Sequence, residues 1–292
     1  MENGGVRCWG DNEFGQLGDG SFNDVNDSSQ SSFVDLGVGR TAVSIDAGYY
    51  HTCAVLDDGS ARCWGDNEAG QLGDGTTVQR LIGTTVNLGT GRTAVSISAG
   101  GSHTCVILDD DSVKCWGGNS NGQLGDGTST DRFGPVSTDI GDSSGALSIS
   151  TGAYHTCAIM SDRTVKCWGD NWHGQLGDGG LQDRLSPTEV EIPSNSSAVT
   201  IDGGAFHTCV GMNDGSMFCW GSNGYGQFGN GGSQSANSPT GVALIETQSP
   251  TQISLGSFHS CALFDDGNVS CWGGNSEGQV GDGTQNDRVV PT

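Results

Sequence analysis

The sequence predicts an all-β fold, a β-propeller of four-stranded blades about 52 residues long, set in an incomplete ring of five complete hairpins plus a half unit. A parent ring of about six or seven blades is expected. Three observations carry this. Cys-Trp-Gly occurs six times, at Trp9, Trp64, Trp116, Trp168, Trp220 and Trp272, at intervals of 55, 52, 52, 52 and 52 residues. His-Thr-Cys, or His-Ser-Cys in the last copy, precedes it by a fixed interval at His51, His103, His155, His207 and His259. The 292 residues also hold 51 Gly, well over twice the usual ~7%. There is no Gly-X-Y period and only 6 Pro, so collagen is excluded and helix is disfavoured.

Each unit reads strand by strand from its turns. His51 to Leu56 and Ser60 to Trp64 are short runs flanking Asp57-Asp58-Gly59, a three-residue loop whose third position takes a left-handed residue; together they make a β-hairpin. The alternation in Val43-Ser44-Ile45 and in Val95-Ser96-Ile97 supplies a preceding strand, and the variable stretch after Gly-Asp-Gly supplies a short following one. Four short strands recurring this regularly fit a radial propeller and not a sandwich. The chain is a single array, 1–292, with units at about 1–40 (partial), 41–92, 93–144, 145–196, 197–248 and 249–292. Cys8 lacks a partner ten residues earlier, and Pro291-Thr292 stops where Pro239-Thr240 leads into the next unit. Both ends read as cuts in a longer array, or as a reading frame begun at an internal Met, with a strand edge exposed near Val6 to Trp9.

These residues resemble the regulator of chromosome condensation (RCC1-like) repeat family, in its disulfide-bearing, bacterial-type form. Its units carry a G-x-x-H-T step followed by Ala and Leu, a turn, then W-G-x-N-x-x-G-Q-L-G-x-G. The match in one unit is Gly48, His51, Thr52, Ala54 and Leu56, then Trp64, Gly65, Asn67, Gly70, Gln71, Leu72, Gly73 and Gly75. It recurs along nearly the whole chain, with departures such as Phe228 and Val280 in place of the Leu. The resemblance implies a ring that usually closes with seven blades, and a structural His that ties loops to backbone. Its known roles include nucleotide exchange on chromatin, ultraviolet sensing, ubiquitin-ligase modules and β-lactamase inhibition. The charge here opposes the first, and all five positions before His-Thr or His-Ser lack the photoreceptor's Trp, so light sensing is not carried over. The inhibitor indicates that a relative can be purely a protein-binding surface.

Ten of the 11 cysteines form five pairs ten residues apart: Cys53/Cys63, Cys105/Cys115, Cys157/Cys167, Cys209/Cys219 and Cys261/Cys271. Centring the loop on Asp58 sets Leu56 opposite Ser60, Val55 opposite Ala61, Ala54 opposite Arg62 and Cys53 opposite Cys63. That position falls in a non-hydrogen-bonded pair with Cα atoms ~4.5 Å apart, inside the disulfide range. One bridge per blade and a free Cys8 are expected, and with them an oxidising compartment: extracellular, periplasmic or cell-surface. The competing reading is five pairs of small buried thiols. The spacing lacks the close C-x2-C clamp of zinc sites.

A net charge of -23 and a pI near 4.1 repel nucleic-acid phosphates and anionic lipid surfaces, and no apolar run is long enough for membrane insertion. The first ~20 residues lack the basic start and apolar core of a signal peptide, so an export signal would lie outside the chain. No catalytic residue, metal ligand or cofactor is assigned, since no nucleophile elbow, phosphate-binding glycine loop or H-E-x-x-H occurs, and the chain is not read as an enzyme. The Asp- and Gly-rich segment from Gly65 to Gly75 and its copies raises calcium, but its spacing fits tight turns better than a ligand loop. One His per blade sits too far from the next to build a metal ring.

Two sets of loop residues vary from unit to unit: the pair before each repeated His and the pair before each Gly-Gln. They supply Tyr49, Tyr50, Tyr154, Trp172, His173, Phe206, Tyr225 and Phe258, large anchors on loops that a propeller presents on its faces. For any one ring the alternative is packing between blades. The expected function is an extracellular protein-interaction scaffold that binds a protein partner through loops on one propeller face, the acidic rim steering a basic partner. A structural or adhesive surface repeat array is the alternative, and a hydrolase or inhibitor-like module a more distant one.

Overall fold

Alternation of apolar and polar residues between Gly-bearing turns gives each repeat one antiparallel sheet. The computed structural model describes residues 4–141, 145–193, 195–244 and 249–292. Blade I holds β1 (Ala42–Ala47), β2 (His51–Leu56), β3 (Ala61–Gly65) and β4 (Arg80–Thr85), hydrogen-bonded in that order. Blade II holds β5 (Ala94–Ala99), β6 (His103–Leu108), β7 (Val113–Gly117) and β8 (Arg132–Ser137). Blade III holds β9 (Ala146–Thr151), β10 (His155–Met160), β11 (Val165–Gly169) and β12 (Arg184–Val190). Blade IV holds β13 (Ala198–Gly203), β14 (His207–Met212), β15 (Met217–Gly221) and β16 (Ala236–Gly241). Blade V holds β17 (Pro250–Leu255), β18 (His259–Phe264) and β19 (Val269–Gly273), with Gly273 bridging Arg288 where the other blades have a fourth strand. Ahead of β1, Arg7 bridges Phe33 and Gly10 bridges Val25, a half unit with only the outer pairings of a blade. The fold is thus a five-bladed, all-β propeller array plus that half unit.

The hairpin register is the one the loop count requires: Val55 faces Ala61, Ala54 faces Arg62 and Cys53 faces Cys63. All five pairs are bonded, Cys53–Cys63, Cys105–Cys115, Cys157–Cys167, Cys209–Cys219 and Cys261–Cys271, each with Cα atoms 4.1 Å apart. Cys8 is free, and burial pushes its thiol up to about 11.

The third loop residue is left-handed throughout, Gly59 at φ 74° but Asp111 at 62° and Arg163 at 72°. A Cβ on Gly59 would fall 2.5 Å from Thr93 Cβ. In blade II, where the turn carries Asp111, the facing residue is Gly145, and a Cβ there would fall 2.2 Å from Asp111 Cβ. The side chain has moved to the other partner of the same contact. Gly145→Thr is therefore expected to lower stability by about 1–3 kcal/mol through overpacking, and Asp111→Gly in the same chain to restore most of it. Thermal melts of the four chains would measure this coupling; additive effects would contradict it.

The core lies between blades and not within them. Trp116 of blade II is fully buried and packs with Cys53, Val55, Cys63 and Leu72 of blade I, and the pattern steps round the ring. Its indole N–H donates to Gln71 O at 2.8 Å, as Trp168 does to Gln123 O, Trp220 to Gln175 O and Trp272 to Gln227 O. The Gly of Gln-Leu-Gly is fixed by this approach: a Cβ on Gly73 would fall 2.6 Å from Trp116 Nε1.

Candidate functional site

Two connections per blade build the surface on which the sequence-predicted residues stand. In blade I the β1–β2 turn is closed by the Gly48 N–H on His51 O at 2.9 Å, and Tyr50 O accepts the Asp66 N–H at 2.8 Å, which brings the loop after β3 alongside. That loop is held by buried Asn67, whose Oδ1 accepts the Leu72 N–H at 3.0 Å and whose Nδ2 donates to Thr76 O at 3.1 Å and Val78 O at 3.0 Å. Gln71 donates to Asp66 at 2.6 Å and accepts the Ala69 N–H at 3.0 Å. The repeated Asn, Gly and Gln positions thus serve the fold, and the variable residues between them are presented outward. Asp74 accepts from Thr76 and Arg80, and Asp126 and Asp282 accept from Thr128 and Arg132 and from Thr284 and Arg288. Protein donors hold these carboxylates, and no group of three or more His, Cys, Asp or Glu suited to a metal ion occurs among the described residues.

The repeated histidines set the spacing of the blades. Nε2 of His51, His103 and His155 lies 2.8, 2.9 and 2.9 Å from Oγ1 of Thr104, Thr156 and Thr208 in the next blade, and that of His207 lies 3.0 Å from Ser260 Oγ. Each hydroxyl gives its hydrogen to a Gln carbonyl, those of Gln71, Gln123, Gln175 and Gln227. The imidazole must then donate through Nε2–H, which leaves Nδ1 bare in all four. The family resemblance implies a structural His tying loops to backbone; here the tie to the Gln carbonyls runs through a hydroxyl of the neighbouring blade. Burial holds His51 and His155 down at about 4 and His103 and His207 at about 3, so all four are neutral. His259 is half-buried and has no such partner among the described residues.

Most of the predicted aromatic residues meet on one surface. Phe14 packs on Tyr50 with ring centroids 4.8 Å apart, Tyr50 meets Tyr49 at 6.4 Å, and Tyr49 shares the lining of one axial cavity with Ser257. On the other side His173 meets Phe206 at 5.1 Å, Phe206 meets Phe258 at 6.4 Å, and Phe258 meets Tyr225 at 5.2 Å. Tyr154 is exposed, and Trp172, beside His173, is 77% exposed. Phe206 is half-buried between its neighbours, so for this ring the packing alternative holds in part.

The turns converge on a cavity of about 170 Å³ lined by Gly48, Tyr49, Gly100, Gly152, Gly204 and Gly256 among others. Behind its lining residues Ala99 and Leu255, Asp46 accepts the Ala99 N–H at 2.8 Å and the Ser98 hydroxyl at 3.0 Å, and Asp202 accepts the Leu255 N–H at 2.7 Å and the Ser150 hydroxyl at 2.6 Å. Burial pushes both carboxyls up, Asp202 to about 6 with the nearby Asp46 charge adding to it. Phe14 and Ser257 fall in the two variable sets read from the sequence without being chosen as anchors, and sequence reasoning missed Asp46 and Asp202. A signal for the carboxylates exists: the column 46, 98, 150, 202, 254 reads Asp, Ser, Ser, Asp, Ser.

A larger hollow of about 450 Å³ opens beside the half unit, lined by Arg7, Cys8, Trp9, Asp46 and Thr52 among others. Trp9 is 59% exposed whereas the other five repeated Trp are fully buried, because no blade packs over it among the described residues; Val6, at the same edge, is buried.

Stacked antiparallel blades, one disulfide each, and loops gathered round an axial mouth define a disulfide-stapled β-propeller of the regulator type. The chain belongs to the RCC1-like domain family, whose model matches residues 1–292. It is 33% identical over 290 residues to the ultraviolet-B receptor UVR8 of Arabidopsis thaliana, covering 98% of this chain and 64% of that protein. It is 28% identical over 246 residues to the E3 ubiquitin-protein ligase HERC2 of Homo sapiens, covering 84% of this chain but 5% of the ligase. The chain thus spans less than two thirds of either relative. Among solved structures, yeast RCC1 (Prp20) superposes with a TM-score of 0.84 at 22% identity, covering 100% of this chain and 71% of that one. Human WBSCR16 superposes with a TM-score of 0.86 at 21% identity, covering 98% and 75%.

Proposed function

We propose that this propeller is a non-enzymatic protein-interaction scaffold acting in an oxidising compartment outside the cytoplasm, and that it binds a protein partner through the aromatic face. The observation carrying this reading is two groups of touching rings, Phe14 with Tyr50 and Tyr49, and His173 with Phe206, Phe258 and Tyr225, built from loop positions that vary between repeats. Five bridged hairpins favour the oxidising setting. Two propellers of the same fold give the precedent for protein partners: yeast RCC1 is seen bound to Kap60, and Prp20p of Saccharomyces cerevisiae has binding properties to Gsp1p and histones. Aromatic anchors at such a surface typically cost about 2 kcal/mol or more on truncation. With a partner captured from the native extracellular milieu, Tyr50→Ala and Trp172→Ala are expected to weaken binding at least ~30-fold in calorimetry, while Ile82→Ala on outer strand β4 leaves it intact. Loss at Ile82 with none at Tyr50 and Trp172 would move the site to the blade edges.

A further inference from the structure

The loops of the aromatic face carry acids and, apart from His173, no basic residue. Asp11, Glu13, Asp66, Glu68, Asp170 and Glu277 stand in the segments 11–14, 66–69, 170–173 and 274–277. Neither these, nor the segments 118–121 and 222–225, nor the turns 48–50, 100–102, 152–154, 204–206 and 256–258 contain a Lys or Arg. The ion pairs formed by Arg40 and Arg92 lie at the other ends of the strands, on Asp57 and Asp58 and on Asp109 and Asp110. Those of Arg80, Arg132, Arg184 and Arg288 hold Asp74, Asp126, Asp178 and Asp282. Asp46 and Asp202, which stand behind the lining of the axial mouth on the Ala99 and Leu255 N–H groups, form no ion pair among the described residues. The mouth itself has room for about five or six waters at ~30 Å³ each, the bulk of one side-chain head group and not of a nucleotide.

We propose that the axial mouth seats a single arginine or lysine side chain from a basic segment of the protein partner, with the Tyr49 ring in its lining, Tyr154 and Phe258 at the rim next to lining residues Ala153 and Ser257, and Asp46 and Asp202 behind the lining on the Ala99 and Leu255 N–H groups. Aromatic faces attract cations through their quadrupole, and a concave acidic site without counter-charges concentrates positive charge. Seating would supply the cation that the two carboxylates lack. This rests on the partner-binding reading and deepens it by naming the group that is recognised.

The probe is the peptide Ac-Gly-Gly-Arg-Gly-Gly-NH2, compared with its citrulline counterpart, which keeps the shape and removes the charge. Followed by calorimetry and by the ring resonances of Tyr49 and Tyr154, the arginine peptide is expected to bind at least tenfold tighter than the citrulline one. Tyr154→Leu and Phe258→Leu, with folding checked by near-ultraviolet circular dichroism, are expected to abolish that difference, and Asp265→Asn at the β18–β19 turn to leave it unchanged. Equal binding of the two peptides, or an equal loss in Asp265→Asn, would overturn the seat in favour of diffuse attraction to an acidic protein. If the arginine peptide fails while Tyr50→Ala and Trp172→Ala still weaken the partner, the cation seat falls and the partner reading stands. If the peptide behaves as expected while those variants leave the partner untouched, the seat stands and the partner surface lies elsewhere.

Discussion

Opening the five disulfides is expected to unfold the protein at room temperature. Each bridge closes a hairpin across ten residues, and the chain-entropy account gives each about 2–3 kcal/mol. Five together reach on the order of 10 kcal/mol, the size of a typical domain's entire stability. The loss should fall blade by blade, because access differs. The cysteines of blades I to IV are fully buried, whereas Cys261 and Cys271 in blade V are half-buried, so a mild reductant opens Cys261–Cys271 first. Non-reducing mass spectrometry of the untreated protein should show ten hydrogens fewer than the reduced chain, two for each of the five bonds, and alkylation in denaturant should label Cys8 alone. Five or more alkylatable thiols among the paired ten would contradict the oxidised state and the compartment inferred from it.

Acid is expected to act through the inter-blade histidines. An unfolded histidine titrates near ~6.5, while His51 and His155 are held at about 4 and His103 and His207 at about 3 by burial. Between those values the unfolded chain binds more protons than the folded one. Their contribution is therefore complete above the unfolded value and is lost as pH falls toward 4 and below, by up to about 1.4 kcal/mol per pH unit for each His. Asp202, raised to about 6, and Asp46, also raised, work in the opposite sense, since the folded state takes up their protons first. Four imidazoles against two carboxylates leave a net loss, and an unpartnered Nδ1, once protonated, finds no acceptor for its N–H. The urea midpoint is expected to fall steeply between pH 6 and pH 4.5, and His207→Asn to flatten the slope by removing one titrating group. A midpoint constant over that range would show that the imidazoles are not the acid-sensitive joints.

Local geometry was legible in the sequence wherever the determining residues are neighbours in the chain. Counting outward from Asp58 places Cys53 opposite Cys63 because a three-residue loop leaves one register. The same holds for β1 and β4, whose alternation or turn boundaries can be read directly. Relations that depend on ring closure could not be read this way. His51 is 53 residues from Thr104, and the contact follows from blade-to-blade stacking, so the resemblance implies a structural His but not this hydroxyl of the next blade, which links it to the Gln71 carbonyl. Tyr49 and Ser257 line one cavity only because five blades curve round one axis. Loop-tip aromatics could be named singly, but not as one connected surface. Asp46 and Asp202 look like ordinary polar positions of a strand until the inner strands are set around the mouth.

The most direct test is a hydrogen-exchange footprint of the propeller in complex with its captured protein partner. Slowed exchange is expected in the turns 48–50, 152–154, 204–206 and 256–258 and in the loops 66–69 and 170–173, with β4, β8, β12 and β16 and the turn at Asp57–Gly59 unchanged. Protection confined to those outer strands or to the opposite turns, with the aromatic loops exchanging as in the free protein, would contradict it.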